Sequence, residues 1–329
     1  MSAEGRPTLS GKSVLVTGGA GFIGSHLVDR LVAERPSNLV VVDNMFLGKE
    51  ANLKDAFRAL PTLKLYREDA SDFDAMARIV KAESTEVVFD LAVIPLPTSL
   101  ERPRWVVEVN VGIASSVCEL LRLGRFDTLI HFSSSEVYGT AQYTPMDESH
   151  PLLPLTPYAA SKAAADHVVL SYIHTFGVDA AILRPFNTFG PRQNDQAYAG
   201  IIPRVVEKAR SGQPAEIYGD GEQTRDYTYV TNVADAAIRL FGSPGARGRV
   251  VNVASGAEIS VNELVEGLNS LLGDAAGASH VDPRPGDVRR HLGSAELLKQ
   301  LTGWQPAVPL SEGLERTVAW YTASAASPA

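Results

Sequence analysis

The 329-residue chain carries 30 Lys and Arg against 38 Asp and Glu, a formal net charge of −8, with 45% hydrophobic and 21% charged residues. That balance fits a water-soluble protein with one large or two modest cores, and it excludes the basic face of a nucleic-acid binder. A single cysteine, Cys118, excludes an internal disulfide framework and a cysteine-built zinc site, and no apolar run reaches the roughly 18 residues of a membrane span. The opening MSAEGRPTLSG lacks the charged-then-apolar form of a signal peptide and reads as the frayed leader of a cytoplasmic protein. Residues 322–329 read as a disordered tail.

Strand-length apolar runs then alternate with helix-length segments. Strands are predicted at Ser13–Thr17, 39–43, 64–67, 86–92, 128–133 and 179–184, separated by helices at 25–34, 75–81, 106–123 and 158–176. Runs such as Leu39-Val40-Val41-Val42 are continuous rather than alternating, the pattern of strands buried on both faces of a parallel sheet. Parallel strands need crossover helices, so the predicted fold class is α/β, a Rossmann-type doubly wound parallel sheet. Beyond Arg184 the rhythm loosens. A helix is predicted at 201–211, one at 232–241 returning to the first layer, and a strand at 249–253. The expected organisation is a first domain over 1–184 with 226–253 returning to it, and a smaller lobe from 185–225 and 254–321.

The first strand runs into Gly18-Gly19-Ala20-Gly21-Phe22-Ile23-Gly24. Gly18 suits a tight turn, Gly21 lets a pyrophosphate approach the backbone, and Gly24 lets the following helix sit close to the sheet. The N–H groups at that helix start face the anion. The second strand ends at Asp43, about 20 residues beyond Gly24, where an acid accepts the ribose hydroxyls of NAD and repels a 2′-phosphate. The expected cofactor is therefore NAD, bound by the first domain.

The strand at 128–133 ends in Ser133-Ser134-Ser135-Glu136-Val137-Tyr138-Gly139, and Tyr158-Ala159-Ala160-Ser161-Lys162 follows. Tyr158 and Lys162 share one helix face. The ammonium of Lys162 is expected to lower a phenol pKa that is about 10 unperturbed, fitting Tyr158 to take a proton near neutrality.

Together, TGGAGFIG, Asp43, SSSEVYG and YAASK resemble the extended short-chain dehydrogenase/reductases, specifically the NAD-dependent nucleotide-sugar epimerases and dehydratases, over residues 12–321. The resemblance implies that Tyr158 takes the proton of the sugar 4-hydroxyl while a C4 hydride moves to NAD. It also implies that Lys162 holds the nicotinamide ribose and Ser134 hydrogen-bonds the 4-oxygen. Phe22, Ile23, Asn44, Asp69, Ala70, Leu91, Ala92, Ser133 and Pro185 match further cofactor contacts. Asp90 stands where the family commonly has His and inherits no role. A homodimer through the outer faces of 106–123 and 158–176 is a further implication.

A 4-keto sugar can be re-reduced to its epimer, dehydrated across C5 and C6, or, as a uronate, decarboxylated. Family dehydratases and decarboxylases carry Glu directly before VYG, and a carboxylate there is suited to removing H5. In dehydratases the middle residue of that triplet is Asp, which protonates the departing hydroxyl; Ser135 is too weak an acid to do so unaided. The run from Glu136 to Glu148 and Arg184-Pro185-Phe186-Asn187-Thr188-Phe189-Gly190-Pro191-Arg192 resemble UDP-N-acetylhexosamine 4,6-dehydratases. Decarboxylases have a basic residue where this chain has Pro283. The order of preference is therefore dehydratase, then UDP-glucuronate decarboxylase, then 4-epimerase, with a catalytically inactive NAD-sensing relative as the non-enzymatic alternative.

The UDP-sugar diphosphate needs a local basic pocket. By resemblance Arg225 and Arg284 clamp it, Asn187 contacts it, and Tyr218 and Arg204 line the base; planar guanidinium forks bind phosphate oxygens in pairs. Arg192 can meet a sugar carboxylate or a phosphate. His26, His131 and His167 show no metal-ligand spacing, so no metal is expected, and His131 and Cys118 read as packing residues.

Overall fold

The computed structural model describes residues 7–194, 200–273, 277–283 and 286–324. Its first half alternates β1 (Ser13–Thr17), α1 (Phe22–Ala33), β2 (Asn38–Val42), α2 (Lys54–Ala59), β3 (Lys64–Tyr66), α3 (Phe73–Ala82) and β4 (Val87–Asp90). It continues with α4 (Leu96–Glu101), α5 (Pro103–Arg122), β5 (Thr128–Phe132), α6 (Pro157–Phe176) and β6 (Ala180–Pro185). The remainder comprises β7 (Asn187–Phe189), α7 (Ile201–Arg210), β8 (Ala215–Tyr218), β9 (Thr224–Tyr229), α8 (Val230–Phe241) and β10 (Val250–Val253). Last come β11 (Glu258–Ser260), α9 (Val261–Leu271), β12 (Ala278–Val281), α10 (Glu296–Thr302) and α11 (Leu310–Ser324).

A seven-stranded sheet has the order β10-β6-β5-β4-β1-β2-β3, and every pairing in it is parallel. This is the doubly wound α/β fold expected from the continuous apolar runs: β1, β4 and β5 are buried along their whole length. From β1 the chain winds outward to β3, then returns to β4 and winds the other way. The crevice at the strand carboxyl ends therefore opens between β1 and β4, where such folds bind ligands.

Local chemistry fixes the helix starts. Thr156 caps α6 by accepting from the Ala159 N–H at 3.1 Å, and Pro157 occupies the first turn. Pro has no N–H to leave unpaired there. Tyr158 is thereby pinned to the sheet end of a 20-residue helix closed at Gly177 in the left-handed conformation. Ser260 and Glu263 form a capping box that starts α9.

The lobe holds a three-stranded sheet, β11-β9-β7, and a β12-β8 pair. Its core joins Phe189, Ile202, Val205, Tyr229, Leu264 and Val318, and Phe22 and Ile23 at the start of α1 pack against it. The chain crosses between the two units at places other than those expected. Residues 226–229 belong to β9, which pairs with β7 and β11, so the return to the first layer begins with α8 at Val230. Leu298 and Trp304 share the core of Val251 and Val253, so α10 and the turn after it lie with the first layer rather than the lobe. The terminal helix reaches Ser324, three residues into the stretch expected to be a tail. No helix among the described residues is long and apolar enough to cross a membrane.

Candidate active site

A cavity of about 1240 Å³ runs along the strand carboxyl ends and beneath the lobe. It gathers every described residue that the sequence nominated. On the first layer these are Gly18, Gly21, Phe22, Ile23, Gly24, Asp43, Asn44, Asp69, Ala70, Leu91, Ala92, Ser133, Ser134, Ser135, Glu136, Tyr158, Lys162 and Pro185. From the lobe come Asn187, Arg192, Arg204, Tyr218 and Arg225. Arg284 lies outside the described residues.

The glycine turn is built for close approach. Gly18 has φ +65°, and a Cβ on it would meet the Ala92 backbone nitrogen at 2.8 Å. A Cβ on Gly24 would meet the Gly18 carbonyl oxygen at 2.1 Å. The N-terminus of α1 has no side-chain cap, which leaves its first N–H groups for an anion. Asp43 accepts from the Ala20 N–H at 3.0 Å and the Met45 N–H at 2.9 Å. Burial pushes its carboxyl above the ordinary value, against these backbone donors. Each oxygen still has a second lone pair for a ribose hydroxyl. Asp69 accepts from Ser71 and, at 3.2 Å, from Asn44. An uncapped helix end, a clash-forming glycine cradle and a partly satisfied acid together fit a dinucleotide.

At the end of β5, Ser134 accepts from the Glu136 N–H at 3.2 Å and so starts a short helical turn, Ser135–Tyr138. The Ser134 hydroxyl also faces the Tyr158 phenol closely enough to act on its pKa. The lowered phenol pKa expected from Lys162 is absent. Burial pushes Tyr158 up to about 12, the neighbouring Ser134 hydroxyl pulls it down, and the charges of Glu136 and Asp166 push it up again. Lys162 instead donates to the Phe132 carbonyl at 2.6 Å. Its own pKa is lowered by burial, against the pull of Asp90 and Asp166. Glu136 is raised by burial, with Arg225 lowering it and Asp287 raising it.

The expected basic pocket is a set of matched pairs. Arg225 lies 2.5 Å from Asp287, and Arg204 lies 2.9 Å from Glu216 and donates to the Tyr218 hydroxyl at 3.1 Å. Arg192 lies 2.6 Å from Asp29 and 3.7 Å from Asp55. A sugar carboxylate at Arg192 would be a third acid on one guanidinium.

Three groups around the site escaped the sequence reading. His131 is hydrogen-bonded to Asp90 at 2.7 Å, and Asp90 also accepts from Thr17 at 2.6 Å. Thr17 in turn accepts from the N–H groups of Leu91 and Ala92. Thus Asp90, in the position without an inherited role, and His131, read as packing, brace the loop that meets Gly18. Asp166 holds Ser133 and Arg184. His291 is fully buried against Phe186. No spacing marks these residues, because their partners lie on other strands.

His291 makes stability depend on pH. Burial, helped by the Arg225 charge, pushes it down to about 3 from an ordinary 6.5. Below pH 6.5 the unfolded chain takes up a proton here that the folded chain refuses, so this residue makes the fold progressively less stable from about pH 6.5 down to 3. Between pH 7 and 5 the cost is about 2 kcal/mol. His291→Gln should remove that part of the pH dependence in urea unfolding curves compared at the two pH values.

Residues 15–317 match the family model described as GDP-mannose 4,6 dehydratase. The chain belongs to that family. This bears out the resemblance to the extended short-chain dehydrogenase/reductases that modify nucleotide sugars. The UDP-glucose 4-epimerase of Mycolicibacterium smegmatis is 35% identical over 93% of this chain and 97% of its own length. A UDP-N-acetylglucosamine 4-epimerase from Methanobrevibacter ruminantium, solved with UDP-N-acetylmuramic acid, is 34% identical with a TM-score of 0.88, covering 96% of this chain and 99% of its own. A dTDP-glucose 4,6-dehydratase from Streptomyces venezuelae, solved with NAD bound, is 30% identical with a TM-score of 0.89, covering 95% and 98%. Family members of both reaction types thus share the whole fold.

Proposed function

We propose that the chain is an NAD-retaining 4,6-dehydratase of a UDP-linked hexose, acting as a cytoplasmic homodimer. Glu136 carries this reading: a half-buried carboxyl in the cavity wall, close enough to Tyr158 to raise its pKa and itself raised above the ordinary value. A carboxyl raised in this way holds a proton more readily than a solvated one, which suits it to take a proton from C5. Re-reduction to an epimer needs no second acid or base, whereas dehydration needs one.

NAD, held by Gly18, Gly21, Gly24, Asp43 and Lys162, supplies the hydride acceptor at C4 and later the donor at C6. Tyr158 takes the proton of the 4-hydroxyl, and Ser134 hydrogen-bonds the oxygen that becomes the ketone. Glu136 takes the C5 proton and returns it to the departing 6-hydroxyl, which leaves as water; the proton first taken from the 4-hydroxyl is given back at C5 when C6 is reduced. With Ser135 in the middle position, one carboxyl serves both transfers. Arg225 and Asn187 bind the nucleotide diphosphate, Arg204 and Tyr218 line the base, and Arg284 is proposed to join the diphosphate clamp by resemblance.

The second reading is 4-epimerase, favoured by Ser135 in place of an acid and by the two epimerase relatives. Decarboxylation falls to third, since Arg192 already faces Asp29 and Asp55. Purified protein with UDP-glucose, UDP-N-acetylglucosamine and UDP-glucuronate, followed by mass, decides among them. Dehydration removes the mass of water, decarboxylation that of carbon dioxide, and epimerisation nothing. An unchanged mass with inverted C4 overturns the dehydratase reading.

A further inference from the structure

The segment from Asp287 to Ser294 is laid like a strap between the turn holding Glu136 and the lobe. On one side its backbone pairs with the loop beyond that turn: the Ala141 N–H donates to Arg290 and the Met146 N–H to Leu292, at 3.1 and 2.7 Å. On the other, Asp287 holds Arg225 at 2.5 Å. His291 sits at the centre. The Asn187 amide nitrogen lies 3.4 Å from its Nδ1, and its Nε2 lies 3.2 Å from the Ser135 carbonyl oxygen. An amide nitrogen donates, so Nδ1 accepts and Nε2 carries the proton given to Ser135. Burial and the Arg225 charge keep the ring neutral, which preserves this one donor and one acceptor.

We propose that His291 is a positioning residue: its two hydrogen bonds set the Ser135–Glu136 turn against Asn187, so that Glu136 reaches C5 when the diphosphate is bound in the lobe. The inference rests on the dehydratase reading above. A misplacement on the order of 1 Å at a reacting group costs about a hundredfold in rate, while C4 oxidation rests on Tyr158 and Lys162 on α6 and meets this turn only at its cap, Ser134.

The test uses full-length protein purified with its NAD, a UDP-hexose that the wild type converts, and absorbance of reduced nicotinamide during turnover. His291→Leu and His291→Phe each remove both bonds, the second keeping a ring against Phe186. Both should lose tenfold or more in kcat, keep KM within about threefold, and accumulate reduced nicotinamide with the 4-keto sugar. His291→Gln, which offers a donor and an acceptor, should restore most of kcat. Glu136→Gln, run in parallel, should stall at the same point. Unchanged kcat in a folded His291→Leu or His291→Phe protein overturns the inference, as does equal impairment in His291→Gln, which would mark a merely structural role. If the apolar variants fail to fold, His291→Gln with wild-type kcat supports the inference and a stalled His291→Gln defeats it. If Glu136→Gln itself turns over normally, the dehydratase reading fails instead.

Discussion

Tyr158→Phe should lower kcat by about a thousandfold, the middle of the range for a general acid or base, while leaving NAD and nucleotide-sugar binding within a few-fold of the wild type. The substitution removes one oxygen from a half-buried ring in the cavity wall, so the walls that hold the dinucleotide keep their shape. A pH series gives a second readout. With the phenol pushed up to about 12, the ionised fraction grows tenfold per pH unit across the neutral and alkaline range, so wild-type kcat/KM should climb with pH. The residual rate of the variant should be flat over the same range. Equal slopes in the two proteins would remove Tyr158 from the proton transfer.

That pKa also marks where sequence reasoning stops. The Tyr158–Lys162 spacing correctly implied a shared helix face, and both side chains reach the cavity. Burial was invisible in the spacing, however, and it outweighs any ammonium: Lys162 is spent on the Phe132 carbonyl, and Glu136 and Asp166 push the phenol the other way. The parallel sheet, the glycine turn and Asp43 were legible because each is a local signal, an apolar run or a fixed offset along one stretch of chain. Asp90, His131, Asp166 and Arg184 come from β4, β5, α6 and β6, which neighbour one another only once the sheet has formed. His291 sits in a loop between short elements, where no periodicity points to its partners at Ser135 and Asn187.

Asp166→Leu should destabilise the fold by about 3–5 kcal/mol, the usual cost of leaving one member of a buried ion pair alone. Asp166 is completely buried and accepts from Arg184 at 2.9 and 2.8 Å and from Ser133 at 2.7 Å. Arg184, 3% exposed, has no water to turn to. Its remaining contacts are with Tyr138, whose hydroxyl accepts from it at 2.9 Å and donates to Asn252 at 2.8 Å. A neutral leucine would leave that guanidinium charged in a low-dielectric interior. Combining Asp166→Leu with Arg184→Met removes both charges and should recover at least half of the loss, because the pair's desolvation offsets much of its attraction. Denaturant unfolding of the two single variants and the double variant measures this. A single variant within about 1 kcal/mol of the wild type would show that the pair is not charged. The residue matters beyond stability, since Tyr158, Lys162 and Asp166 fall at successive i,i+4 positions on α6. The first lines the cavity, the second grips the end of β5, and the third anchors the helix to β6, so loosening Asp166 moves the surface that presents the phenol.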